Sequence, residues 1–132
     1  MSRSGYYDDG DLEQWPSICW RGAVASAIKG KRGQSFLLEM WKAMQSLPER
    51  KLIAGELEAD GAVCAIGSVG KARGMDMSKI DPGDHEAVAS AFGIPHSLAC
   101  EIMFINDDSI GDDPAKRFAE VKQWIEENLR AI

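Results

Sequence analysis

Apolar side chains recur at helical spacing over most of this chain. Trp20, Val24, Ala27 and Ile28 fall on one face of a first helix over 18–29, and Leu37, Met40, Trp41 and Met44 form the stripe of a second over 34–46. Gly30-Lys31-Arg32-Gly33 breaks the two apart, and Leu47-Pro48 ends the second. Later, Asp81-Pro82 has the form of a helix start, with Asp at the cap and Pro at the first helical position; that helix runs through Val88 to about Phe92. Gly93-Ile94-Pro95 turns the chain into a further helix reaching about Ile105. There Asn106, a residue that tolerates the left-handed conformation, is the expected stop. Asp113-Pro114 caps a last helix to about Arg130, with Phe118, Val121, Ile125 and Leu129 inward and Trp124 beside that stripe.

The stretch between these helices, KLIAGELEADGAVCAIGSVGKARGMDM over 51–77, supports two readings. Asp60-Gly61 is a turn signal, so 62–69 reads as the return strand of a hairpin. Alternatively Asp60 caps a helix to about Arg73 that Gly74 ends. The threefold spacing of Val63, Ile66 and Val69 favours the helix, and Gly67 and Gly70 would let another backbone approach closely. The expected fold is therefore mainly α: a compact bundle of five to six helices in one domain over 15–132, with room for one short β-hairpin near 52–65. Residues 1–14, MSRSGYYDDGDLEQ, read as a flexible polar arm.

Composition narrows the function classes. In 132 residues, 45% hydrophobic and 27% charged, there is material for a real core. A net charge of −6 disfavours general affinity for nucleic acid, yet no acidic residue occurs from Trp15 to Leu38, where Arg21, Lys29, Lys31 and Arg32 gather. Those four are the candidate nucleic-acid contacts. The helix–turn–helix spacing of the first two helices is not matched by groups able to read bases, because the second is crowded with Phe36, Leu37, Leu38, Met40 and Trp41. The later pair around Gly93 has the better skeleton, with Val88, Ala89, Ile94 and Ile102 at its contact. The expected outer face of its second helix, His96, Ser97, Glu101 and Phe104, holds no cation. No apolar run matches a membrane span and no signal-peptide core is present, so a cytoplasmic setting is expected.

Candidate chemistry is sparse. Gly67-Ser-Val-Gly70-Lys71 fails as a phosphate loop, because its first glycine would fall at Ala65 and Ala72 follows the lysine. An EF-hand begun at Asn106 would place Ile110 and Arg117 where oxygen ligands must stand. Cys19, Cys64 and Cys100 are odd in number and widely spaced with no CxxC pair, which indicates neither a disulfide framework nor a zinc ribbon, and the apolar neighbours of Cys64 predict an inert thiol of raised pKa. With two histidines and no nucleophile elbow, no catalytic residue, cofactor or metal is expected.

WRGAVASAIKGKRGQSFL at 20–37, LIAGELEADGAVCAIGSVGKARGMDMS at 52–78, FGI at 92–94, Asn106-Asp107 and the closing Arg117-Phe118 to Trp124 helix resemble a family of uncharacterised bacteriophage- and prophage-encoded proteins. A looser similarity, through Cys64, Gly67 and Asn106-Asp107, is to phage proteins with a Gly-x-Cys-Cys-Leu-Gly segment. The resemblance implies a bacterial-host setting and a protein that binds a host protein and inhibits or redirects it, most sharply an anti-CRISPR-type inhibitor of a nucleic-acid-handling defence complex. Glu101, Asp107, Asp108, Asp112 and Asp113 would then form an acidic partner-binding face. A nucleic-acid-binding accessory protein using the 21–32 cations is the alternative, and an enzyme on a small substrate the third reading. Four tryptophans also make self-association into a homo-oligomer an expectation.

Overall fold

The computed structural model describes residues 15–108 and 113–129. Six helices and one two-stranded ribbon make up this part: α1 (Trp15–Lys29), α2 (Lys31–Gln45), β1 (Glu58–Ala59), β2 (Ala62–Val63), α3 (Ala65–Arg73), α4 (His85–Phe92), α5 (His96–Asp108) and α6 (Pro114–Asn128). The chain is thus a mainly helical bundle with one hairpin, as its periodicity predicts. The 1–14 segment lies outside the described residues.

Helix α5 is the centre. Leu98, Ala99, Cys100, Ile102, Met103, Ile105 and Asn106 are all buried, because α1, α3, α4 and α6 pack around it. A helix enclosed on nearly every side needs an almost continuous apolar surface, and 98–105 supplies one. Around it stand Leu37, Met40 and Met44 of α2, Ile66 and Val69 of α3, Val88 and Phe92 of α4, and Phe118, Val121 and Ile125 of α6. The pair α4–α5 bends by 110° at Gly93, whose φ of 71° needs no Cβ. Among the described residues no single helix is long and apolar enough to cross a membrane.

Several local expectations are corrected. Residues 51–73 satisfy both readings in succession: hairpin first, helix second. Asp60 (φ 53°) and Gly61 (φ 85°) form the tight turn of a ribbon that pairs Glu58 with Val63 and Ala59 with Ala62. The helix therefore starts at Ala65, and Cys64, not Asp60, caps it: its Sγ accepts from the Gly67 amide at 3.2 Å. Gly74 ends it in the left-handed conformation as expected. Gly30 alone separates α1 from α2; Lys31, Arg32 and Gly33 already belong to α2. Asp81-Pro82 makes a turn instead of a helix start. Asp81 accepts the Gly83 amide through its side chain and the Asp84 amide through its carbonyl, which leaves Asp84 to cap α4. Asn106 does not stop α5. It lies within the helix, buried, because its side chain finds buried backbone partners there.

Asn106 accepts from the Ala65 amide at 3.0 Å and donates to the Ile53 carbonyl at 2.9 Å. Buried Arg117 donates to the Asn106 carbonyl at 2.7 Å and to the Leu52 carbonyl at 3.1 Å. One amide and one guanidinium thus hold the irregular 52–53 segment against α3, α5 and α6, and they satisfy backbone groups that burial would otherwise strand. On the other side Arg73 makes a two-pronged pair with Glu39 at 2.6 and 2.7 Å and lies over the rings of Phe36 and Phe92, joining α2, α3 and α4.

Candidate interaction groove

Helices α1 and α6 both lie on α2 and α5 without packing closely on one another. A cleft of about 500 Å³ remains between them, open along its top and floored by α5. Its α1 wall has two ridges, Val24 with Ile28 and Arg21 with Ala25 and Lys29, each repeating at four-residue spacing. Trp124, Glu127, Asn128 and Leu129 form the α6 wall. Gln34 of α2 donates to the Ile28 carbonyl at 2.7 Å and to the Asn128 carbonyl at 3.0 Å. A single side chain thereby ties together the last turns of both walls.

The polar groups of the cleft divide by wall. Arg21 and Lys29 are exposed, and no ion pair among the described residues engages either. Lys31 and Arg32, also exposed, stand in the first turn of α2, so all four sequence-predicted cations lie at the surface. Glu127 is exposed on the opposite wall.

The predicted acidic face is not assembled. Glu101 was expected on the outside of its helix, but it is only 3% exposed and sits in the cleft floor, because α1 and α6 cover that side of α5. Phe104, expected outside with it, is half-buried against the core. Asp107 accepts from the Gly55 amide at 3.2 Å and from Asn106 at 2.7 Å, which ties the loop before the ribbon to α5. Asp113 caps α6 by accepting from the Ala115 and Lys116 amides. Asp108 is the last residue of α5, and Asp112 lies outside the described residues. The carboxylates whose side chains are described thus hold helix ends and loops or lie buried.

The nucleophiles have structural surroundings. Burial pushes the Cys64 thiol up to about 12, against the opposing effect of the Gly67 amide it accepts from. Cys100 is fully buried, and its thiol, 3.4 Å from Nε2 of His96, is pushed up to about 11 by burial and then by neighbouring Glu101. A cysteine–histidine contact activates sulfur when it yields a thiolate facing a substrate; here both shifts favour the neutral thiol. His85 is held below the ordinary histidine range by burial and then by the charge of His96. Among the described residues no three His, Cys, Asp or Glu side chains converge as metal ligands. The residues of the looser phage similarity do meet in space, with Cys64 and Gly67 at the α3 cap and Asn106 and Asp107 on the segments beside it, and each makes a hydrogen bond that fixes backbone.

Sequence reasoning found the cations but not the cleft. Nothing in a linear pattern tells that Arg21 and Trp124 face one opening, since they are brought together only by the common packing of α1 and α6 on α5. Arg117 and Asn106 were also unread as a pair. Comparison of the chain with family models, with curated proteins and with solved structures gives no match.

Proposed function

We propose that this is a non-enzymatic interaction protein of the bacteriophage and prophage kind that its sequence resembles, and that it binds a bacterial host protein and inhibits or redirects it through the α1–α6 groove. Blocking a nucleic-acid-handling defence complex, in the anti-CRISPR manner, is the sharpest form of this reading. The observation that carries it is the groove itself: an open cleft of mixed polar and apolar lining, with Trp124 on one wall and the exposed, unpaired-by-carboxylate cations Arg21 and Lys29 on the other. Aromatic and arginine side chains are what protein interfaces enrich, and here they stand with the apolar Val24, Ile28 and Leu129 on the two walls. The acidic residues first expected to carry contacts serve this role poorly, since Glu101 is buried and Asp107 and Asp113 are tied to backbone amides.

The test compares tagged full-length protein with its Arg21→Glu/Lys29→Glu variant in bacterial lysate, with and without nuclease, with retained proteins read by mass spectrometry. A host protein that survives nuclease and is lost with the charge-reversed variant supports the reading. A host protein retained equally by both forms removes the groove from it. A second reading, a nucleic-acid-binding accessory protein, is favoured by the exposure of all four cations Arg21, Lys29, Lys31 and Arg32. Retention that vanishes with nuclease would move the conclusion there.

A further inference from the structure

We infer that the groove receives an amphipathic α-helix of the partner, whose apolar stripe enters the cleft and whose acidic residues, about two turns apart on one flank, meet Arg21 and Lys29. The inference rests on the groove being the docking surface and adds the chemistry of its occupant.

Three observations carry it. First, both walls are helices, and their backbone groups are engaged within those helices. An extended peptide laid between them would find no sheet edge to pair with, whereas a helix brings its own backbone bonds already made. Second, Arg21 and Lys29 lie eight residues apart on one ridge of α1, about 12 Å along its axis. A helix lying beside α1 presents residues i and i+7 or i+8 of one flank at that same spacing. Val24, Ile28, Trp124 and Leu129 supply the apolar surface between. Third, the charge is divided. Cations line the α1 side, Glu127 stands on the α6 side and Glu101 lies in the floor. Nucleic acid, anionic along its whole length, would meet the exposed carboxylate of Glu127 unfavourably. A helix carrying acids on the α1 flank only would not.

The probes are two fluorescein-labelled 18-residue helical peptides with the same leucine stripe and glutamine on one flank. One carries Glu, the other Lys, at two positions eight apart on the remaining flank. Polarisation titrations use the full-length protein and its Arg21→Glu/Lys29→Glu variant, with circular dichroism confirming that both are folded. The expected result is preference of the natural protein for the Glu peptide by about tenfold or more, and the reverse preference in the variant. Equal affinity of the natural protein for both peptides, or failure of the variant to invert the preference, overturns the inference. So does sedimentation showing that the natural protein self-associates and the variant does not, because a second copy would then fill the groove. If neither peptide binds while a host protein is still captured in a manner lost on charge reversal, the helix is wrong and the groove reading stands. If capture is indifferent to Arg21 and Lys29, both fall.

Discussion

At Gly67 a single hydrogen atom decides whether the ribbon can lie on α3. A β-carbon there would stand 1.9 Å from the Leu57 carbonyl oxygen, which is backbone and cannot swing aside. Gly67→Ala should therefore lower stability by about 1–3 kcal/mol, read as a shift in the urea midpoint. Gly22, exposed in the interior of α1, has nothing within 4 Å of its would-be β-carbon. Gly22→Ala should raise stability by about 0.5–1 kcal/mol, so a matched pair of opposite sign tests whether close approach, and not glycine as such, matters. The thiols give a second residue-level outcome. With Cys64 and Cys100 buried and pushed up to about 12 and about 11, iodoacetamide at pH 8 should leave both unmodified in the folded protein and alkylate both in urea, as peptide mapping will show. Rapid native labelling of Cys64 would contradict its role as the buried cap of α3.

Between elements, the polar joints set the arrangement. Asn106→Leu would leave the buried Ala65 amide without that partner, at about 1–3 kcal/mol, and would also remove the bond to the half-buried Ile53 carbonyl. Thermal denaturation should place this variant well below Asn128→Leu, whose side chain bonds only within its own helix. The Glu39–Arg73 pair is half-exposed, so Glu39→Gln should cost about 1 kcal/mol or less at pH 7. Its hydrogen bonds from Arg73 hold the Glu39 carboxyl below the usual range. The unfolded chain therefore takes up this proton first as pH falls. The pair's contribution is complete above about pH 4.3 and is lost as pH drops through the lower folded value. The stability difference between Glu39→Gln and the natural protein should shrink as pH falls through that lowered value, and a difference independent of pH would show that the ion pair is not its source.

For the molecule as a whole, the division between structural and free charge is the point to test. The described carboxylates of the once-expected acidic face are engaged or buried, whereas Arg21 and Lys29 are exposed with no ion pair among the described residues. Reversing both cations should leave stability within about 0.5 kcal/mol of the natural protein. Capture of the partner should nevertheless be lost. Asp113→Ala should do the opposite, lowering stability by about 1 kcal/mol through the lost cap of α6 while leaving capture intact. An Asp113→Ala protein that is folded but no longer captures the partner would restore the acidic face and displace the groove.

Helical periodicity and end signals operate over a few residues, and those the chain determined by itself. The stripe from Leu37 to Met44, the Asp113-Pro114 cap, the left-handed Gly74 and Gly93, the inert setting of Cys64 and the surface position of the 21–32 cations were all legible, because local backbone sterics and amphipathicity produce them. What lay beyond that range was decided by tertiary packing. Whether Asp60 capped a helix or turned a hairpin depended on the approach of Leu57 to Gly67. Asn106, a residue that locally ends helices, stays inside one because Ala65, Ile53 and Arg117 surround it. Glu101, polar and locally on an outer face, is buried because α1 and α6 pack on α5 at either side of it. The groove exists only because those two helices share α5 without closing on each other, and a relation between segments a hundred residues apart leaves no trace in the periodicity of either one.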